Sequence, residues 1–171
     1  QSVEEAYATL PQVMNLAAAG GIELGQSADT ITDIMAQFGL TVADTVGELE
    51  AAEYVANQLT AASQVSSASV DMLSQAFANV GGIAAGFGLD VEEASAALAI
   101  LAENGIKGAE AGTNLKSMLL NMTSVTSKAS NSLGELGVEL YDAEGNMRPL
   151  THIMADLRVR MEQLPANEMN R

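Results

Sequence analysis

Glycine followed directly by an aliphatic residue recurs along this chain, and the pattern limits how long any helix in it can be. The pairs are Gly21-Ile22, Gly39-Leu40, Gly88-Leu89 and Gly105-Ile106. Glycine ends helices because it adopts a positive φ without a Cβ clash. The glycines of successive pairs lie 18, 49 and 17 residues apart. The sequence therefore predicts many short antiparallel helices rather than one straight rod.

The residues that follow each glycine repeat as well. Five, six and ten positions later come a polar, a small and an aliphatic residue: Gln26, Asp44, Glu93 and Glu110; Ser27, Thr45, Ala94 and Ala111; Ile31, Leu49, Leu98 and Leu115. One interpretation is a repeated helical array. The other is that every short helix needs a terminal glycine and a core residue, with no repeat behind them. Both interpretations give a bundle of short helices.

Apolar residues at helical spacing place the individual helices between the glycines. Asp90 and Glu93 predict a capping box, and Ser27 is predicted to cap the helix that ends at Phe38. The predicted helical segments are Ser2 to Ala19 (continuous or broken near Pro11), Ser27 to Phe38, Thr45 to Ser63, Val70 to Ala84 (loosened at Gly81-Gly82), Asp90 to Gly105, the segment with Leu115, Met118, Leu119 and Met122 inward, and Leu150 to Leu164 with Ile153, Met154, Leu157 and Met161 inward. Thr123 to Ser132 is predicted as a weak helix or a linker.

One segment departs from the helical pattern. Val138, Leu140 and Met147 flank a turn-forming cluster, residues 142–146, with period-two apolar spacing. Alternation around such a cluster is typical of a β-hairpin. The predicted fold class is therefore all-α, a bundle of short antiparallel helices with one small β-hairpin near residues 138–148. We expect a single helical domain over residues 1–171, with residues 165–171 starting a truncated continuation.

Composition and charge narrow the range of functions. The 171 residues are 48% apolar but only 4% aromatic, so the core must be built from aliphatic side chains and nine Met. The formal net charge of −15 disfavours sequence-specific nucleic-acid binding and attraction to anionic membranes. The longest apolar run, Phe77 to Leu89, is too short to insert into a membrane. The absence of Cys excludes disulfides and thiolate chemistry.

No motif for catalysis, a cofactor or a metal stands out. His152 is the single histidine and has no nucleophile motif near it. The carboxylate pairs, Asp29 with Asp33 and Glu92 with Glu93, are more simply solvated helix residues than an acid–base pair, which needs a cleft to separate its pKa values. The cluster at residues 142–146 resembles the start of a calcium loop but lacks the downstream Glu. We expect no catalytic residue, no cofactor and no enzyme activity.

Two pairs of glycines at i, i+4 spacing indicate close packing. Gly82 with Gly86 and Gly108 with Gly112 favour close approach between helices. Internal packing is the preferred interpretation, and an oligomer contact is the alternative. The methionines could form an adaptable docking surface, but their inward spacing favours core filling.

Several separated motifs resemble the core region of phage tail tape measure proteins. The first runs from Gly105 to Lys116, and the second comprises Leu136 to Val138, Asp142, Gly145-Asn146 and Arg148 to Leu150. Met14 to Ala17, Gly21 and the turn from Gly88 to Glu93 are also similar to that family, so the resemblance covers about Pro11 to Leu164. The residues expected to carry a structural signature are Gly105, Ile106, Lys107, Gly108, Ala111, Gly112, Thr113, Leu115, Leu136, Gly137, Gly145 and Pro149.

The resemblance implies a function in assembly rather than catalysis. Members of that family are long, mostly helical chains that lie in the growing tail tube and set its length. It implies a structural virion component in the tail lumen, present in the host cytoplasm during assembly. The implied partners are further copies of the chain and the tail tube, tail tip and tail assembly chaperone proteins. The alternative is a helical interaction module of a bacterial surface or secretion system.

Overall fold

Every predicted glycine stop coincides with a helix end in the structure, a computed structural model that describes residues 3–40, 45–124 and 128–164. Within these ranges the secondary structure is helical and contains no strand, so the all-α prediction is confirmed. The helices are α1 (Val3–Gly20), α2 (Leu24–Gln37), α3 (Thr45–Val65), α4 (Val70–Gly86), α5 (Val91–Glu103), α6 (Gly108–Thr123), α7 (Lys128–Glu135) and α8 (Leu150–Glu162). Residues 165–171, predicted as a truncated continuation, lie outside the described residues.

The glycine–aliphatic pairs end their helices by one shared hydrogen-bond pattern. The four glycines have φ between +60° and +87°. The N–H of the next residue donates to the carbonyl five positions earlier: Ile22 to Ala17 (3.2 Å), Leu40 to Met35 (2.8 Å), Leu89 to Ala84 (3.1 Å) and Ile106 to Leu101 (2.9 Å). This is the Schellman motif, which satisfies carbonyls that a helix end leaves unpaired. The helix-capping interpretation therefore accounts for the glycines of the repeat.

Helix α4 is the centre of the bundle. It contacts α1, α2, α3, α5 and α6, and its pairing with α6 is the most extensive between any two of the described helices. Leu73, Phe77 and Val80 are buried along it. The ring of Phe38 meets the ring of Phe77 edge-to-face, with centroids 5.9 Å apart. We call α1 to α6 the body, and residues 128–164 with α7 and α8 the C-terminal arm.

Two predictions about single helices were wrong. Helix α2 begins at Leu24, and Ser27 lies inside it, fully buried, where its hydroxyl donates to the Val13 carbonyl at 2.7 Å. Ser27 therefore joins α1 to α2 and caps neither helix. Met161, predicted to point inward, is 42% exposed because it lies at the end of α8, beyond the buried Leu150 and Ile153. Pro11 and the Gly81-Gly82 pair interrupt no helix, since α1 and α4 run through them.

The β-hairpin near residues 138–148 is not supported. Its pairing consists of one isolated antiparallel bridge, Tyr141 with Met147. Val138 was predicted as a strand residue, but it follows Gly137 (φ +69°) in a further Schellman motif that ends α7. The Val138 N–H donates to the Leu133 carbonyl at 2.9 Å. The carboxylate of Asp142 accepts from the backbone N–H groups of Glu144 and Asn146. The segment is thus a hydrogen-bonded loop, because side-chain and helix-end bonds occupy groups that a strand ladder needs.

Candidate functional site: the two signature turns

The first signature lies at the turn between α5 and α6. Gly105 (φ +87°) ends α5, and the half-buried Ile106 packs against the core directly after it. Asp90 at the other end of α5 accepts the N–H of Glu93 at 2.7 Å, as its predicted capping role requires. The turn therefore reverses the chain within a few residues and brings the start of α6 beside α4.

Lys107 and Glu103 join this turn to the preceding one. The Lys107 ammonium donates to the carbonyl of Ser67 at 3.0 Å, and the N–H of Ser67 donates to the Glu103 carboxylate at 2.7 Å. The Ser67 hydroxyl donates to Ala102 O at 2.9 Å. These bonds bring the α3–α4 turn against the α5–α6 turn. Sequence reasoning missed Ser67, since a serine in a polar turn carries no signal of a partner 40 residues away.

The glycines of α6 bring its backbone against α4. A Cβ added at Gly112 would lie 2.2 Å from the carbonyl oxygen of Ala76, and one at Gly108 would lie 3.2 Å from Gln75 Oε1. Ala111 and Leu115 are buried on the same side, whereas Thr113 is exposed and its hydroxyl bonds back to Ala109 O. The Gly108/Gly112 pair therefore serves internal packing, as predicted. Gly82 and Gly86 are exposed and approach no neighbour.

The second signature shapes the loop of the C-terminal arm. Leu136 is half-buried and Gly137 ends α7, while Gly145 (φ +87°) donates its N–H to Asp142 O at 3.1 Å. Pro149 lies at the start of α8, where its missing N–H costs nothing. All of these residues turn the backbone or fill the core, and none presents a reactive group.

Arg148 joins the loop of the C-terminal arm to α8, and Glu93 joins α5 to the start of α8. The Arg148 guanidinium donates to Glu139 O and to the Asp156 carboxylate, both at 2.8 Å. Desolvation by burial raises the pKa of Glu93, and the charge of Asp90 raises it further. A hydrogen bond from the Leu150 N–H and the proximity of His152 lower that pKa in part. The first turn of α8 therefore faces an acidic group of α5.

In the described ranges, most of the side chains considered for chemistry lie exposed on the surface. No group of three or more His, Asp or Glu side chains there is placed to hold a metal ion. His152, Asp29, Asp33 and Glu92 are exposed. The Asp142 carboxylate, considered as a calcium ligand, accepts backbone N–H groups instead. None of the helices described could cross a membrane.

Sequence reasoning missed two surface hollows and an uneven distribution of charged residues along the chain. A cleft of about 280 Å³ lies between α1 and α2, lined mainly by apolar residues. A smaller hollow of about 210 Å³ lies between α5, α6 and α8. Residues 1–106 contain 14 carboxylates and no Lys or Arg, whereas residues 107–171 contain eight carboxylates and all seven basic residues. Counting charge over halves of the chain would have found this division, which the net charge conceals.

Comparison with known proteins places similar sequences in phage tails. A family model described as phage-related minor tail protein matches residues 1–171. A protein of Pneumococcus phage Dp-1 named tape measure protein is 34% identical over 169 residues, 99% of this chain and 14% of that protein. A protein of Escherichia phage P2 named probable tape measure protein is 27% identical over 161 residues, 94% of this chain and 19% of that protein. The chain thus spans less than a fifth of the length of either relative. No solved structure matches it significantly.

Proposed function

The chain belongs to the family of phage-related minor tail proteins, and on this premise we propose that it is a structural assembly module of a tail tape measure protein. The observation that carries the proposal is the family match over the whole chain, supported by two relatives with tape measure names. The geometry is compatible with it, because the signature residues build turns and helix contacts rather than a reactive pocket. We propose a structural function for this chain and no enzymatic one.

We propose further that the module acts folded and that length is measured elsewhere in the parent protein. A ruler needs a constant rise, which is ~1.5 Å per residue in an α-helix. The longest helix among the described residues, α3, has 21 residues and so extends only about 30 Å. Positive-φ glycines then redirect the chain, and α6 returns against α4. A folded body of this kind is suited to contacts and not to linear measurement.

The twelve signature residues have a common function under this proposal. Gly105, Gly137 and Gly145 turn the backbone. Gly108 and Gly112 allow α4 to approach the backbone of α6 closely. Lys107 joins two turns, and Pro149 starts α8. Four further members fill or border the core: Ile106, Ala111, Leu115 and Leu136. Thr113 is exposed, and its hydroxyl donates to Ala109 O within α6. We propose that they preserve one folded domain over residues 1–171, on whose surface the partner contacts lie.

The proposed partners are further copies of the chain and the tail tube, tail tip and tail assembly chaperone proteins. The proposed location is the tail lumen, preceded by the host cytoplasm during assembly. A surface with a net charge of −15 repels DNA phosphates, so DNA could pass it without adhering. Replacing exposed carboxylates by Asn or Gln should then slow DNA ejection. Unchanged ejection would contradict this explanation of the charge.

An in-frame deletion of the module from its phage tests the assembly function. We expect few or malformed tails, because contacts would be lost. If the segment instead measured length as helix, normal tails shortened by about 260 Å (171 residues at ~1.5 Å each) would appear. Tails of normal number and length would contradict the assembly function. Gly112→Val, which forces α4 from α6, should reproduce the deletion, whereas Gly82→Ala, which meets no neighbour, should leave tails normal.

A further inference from the structure

The body consists of two units of three helices, which follow one another at a nearly constant offset. Helix α4 begins 67 positions after α1, and α5 begins 67 positions after α2. Gly88 follows Gly21 by 67 positions, and Gly105 follows Gly39 by 66. Within each unit the first helix pairs most extensively with the third, as α1 does with α3 and α4 with α6. Capping accounts for each glycine singly, but the shared offset and pairing identify a repeated unit.

The cleft between α1 and α2 has a covered counterpart in the second unit. Moving its nine lining residues 67 positions along the chain gives nine positions on α4 and α5, of which all but Glu92 are buried. Phe77 and Val91 are each 1% exposed at these positions, whereas their equivalents, Leu10 and Leu24, are 37% and 47% exposed. The same groove is therefore closed in the second unit and open in the first.

Helix α3 of the first unit covers the groove of the second. At the start of α5, the Tyr54 hydroxyl oxygen accepts the N–H of Glu92 at 3.3 Å. At the end of α5, the hydroxyl of Ser67, which directly follows α3, donates to Ala102 O at 2.9 Å. Helix α3 therefore runs parallel to α5 along its whole length, and it also contacts α4. The groove of a unit is thus filled by the third helix of the unit before it.

The start of α8 repeats this stacking one unit further along the chain. Gln26 on α2 donates to the carboxylate of Asp71 in the first turn of α4. Glu93 on α5 is the position equivalent to Gln26, and it accepts the N–H of Leu150 in the first turn of α8. Helix α8 thus begins against α5 as α4 begins against α2. The described residues therefore contain the same step between units twice.

We propose that the open α1–α2 cleft binds the third helix of a further unit of this kind on the same polypeptide. The second unit specifies the occupant: an alanine-rich helix parallel to α2, since α3 buries Ala52, Ala56 and Ala62. Each interface between neighbouring units stabilises such an array. A second copy is a poorer occupant, because its α3 is already buried within its own body.

The inference rests on the proposed function, because it takes the chain as a segment of a longer tape measure protein. This chain spans 14% and 19% of its two relatives, so proteins of that length have room for further units. The surface of α1 and α2, rather than the position of the first residue, is what selects the occupant.

A chain with one additional unit tests the proposal. Residues 3–69 are inserted before residue 3 of the full chain, so that Ser69 precedes the repeated helix as it precedes α4. The added unit carries Gln37→Ala, because Met14 is equivalent to Gly81, whose Cβ would meet the Gln37 side chain. The chain contains no Cys. Leu24→Cys in the original unit therefore reports on the cleft through its rate of reaction with a maleimide.

The thiol at position 24 should react at least about tenfold more slowly in the extended chain than in the 171-residue chain, since reaction then requires local opening. Thr32→Glu in the original unit adds a charge to the cleft lining and should restore fast labelling. Val159→Cys on α8, at a position that is 51% exposed, is the matched control and should react equally fast in both chains. Equal labelling at position 24 in the two chains overturns the proposal.

Further readouts distinguish the alternative outcomes. Circular dichroism should show the same helix content per residue in the extended and original chains, and a lower value would contradict an added unit that stacks as the second unit does. Labelling of the 171-residue Leu24→Cys chain that slows as its concentration rises would assign the cleft to a second copy and overturn the proposed occupant. These experiments use purified protein. Their failure is therefore distinguishable from failure of the proposed assembly function, which the deletion phage tests.

Discussion

The body and the C-terminal arm are held together in different ways. The body buries apolar side chains on each of its helices and brings α4 and α6 to backbone contact at Gly112. Over residues 128–164 the arm buries four apolar side chains: Leu133, Val138, Leu150 and Ile153. Its loop depends on Asp142 and Arg148 hydrogen bonds at exposed or half-buried positions.

This difference predicts two levels of local stability. Regions with few buried apolar contacts and exposed hydrogen bonds open at lower free energy than a packed core. Each body helix pairs extensively with at least two others, whereas α8 pairs extensively with no helix of the described residues. We therefore expect α8 to detach while the body remains folded.

The largest expected effect is the difference in the free energy of unfolding lost when an equivalent buried side chain is truncated in each region. Leu98 in the body and Ile153 in the arm are both fully buried. Leu98→Ala should lower the free energy of unfolding by about 3 kcal/mol, from lost burial and the cavity left behind. Ile153→Ala should lower it by less than about 1 kcal/mol. That variant should mainly reduce hydrogen-exchange protection of α8. Equal losses in urea denaturation would show that body and arm unfold as one unit.

The next effect concerns the glycines of the body. Gly112→Ala should cost about 2 kcal/mol, because its Cβ would meet the Ala76 carbonyl at 2.2 Å and backbone cannot yield cheaply. Gly82→Ala is the matched control, since nothing lies within 4 Å of its Cβ position. It should stabilise the protein by about 0.5–1 kcal/mol through helix propensity. Thermal and urea unfolding measure both, and a destabilised Gly82→Ala would contradict the packing assignment.

The smallest effect is the pH dependence of the contact between the body and the arm. The raised pKa of Glu93 means that the folded state holds this proton more tightly than the unfolded state. Its contribution to stability is therefore present at low pH and falls as pH rises through the folded pKa. Glu93→Gln should be slightly more stable than wild type at neutral pH, and the difference should shrink on acidification. A difference that grew on acidification would reverse the assigned direction.

Predictability from sequence depended on how local each interaction is. The Asp90 cap and the stop at Gly105 were predicted correctly because their hydrogen bonds close within six residues. Ser27 was misassigned because its partner, Val13 O, lies on another helix. The charge division was available in the sequence, but net charge alone did not reveal it.

The sequence by itself determined that the described residues are mainly helical and where most of their helices end, since a glycine followed by an aliphatic residue satisfies a helix end locally. Only the tertiary structure decided which glycines serve packing. Gly82 and Gly112 look alike in sequence, yet Gly112 alone faces a neighbouring backbone. The tertiary structure also decided that residues 138–148 form a loop. The end of α7 and the Asp142 carboxylate accept backbone N–H groups that the alternating pattern alone would assign to strand pairing. The physical reason is that capping acts over one turn, whereas the close approach at Gly112 depends on Ala76, which lies 36 positions earlier on another helix.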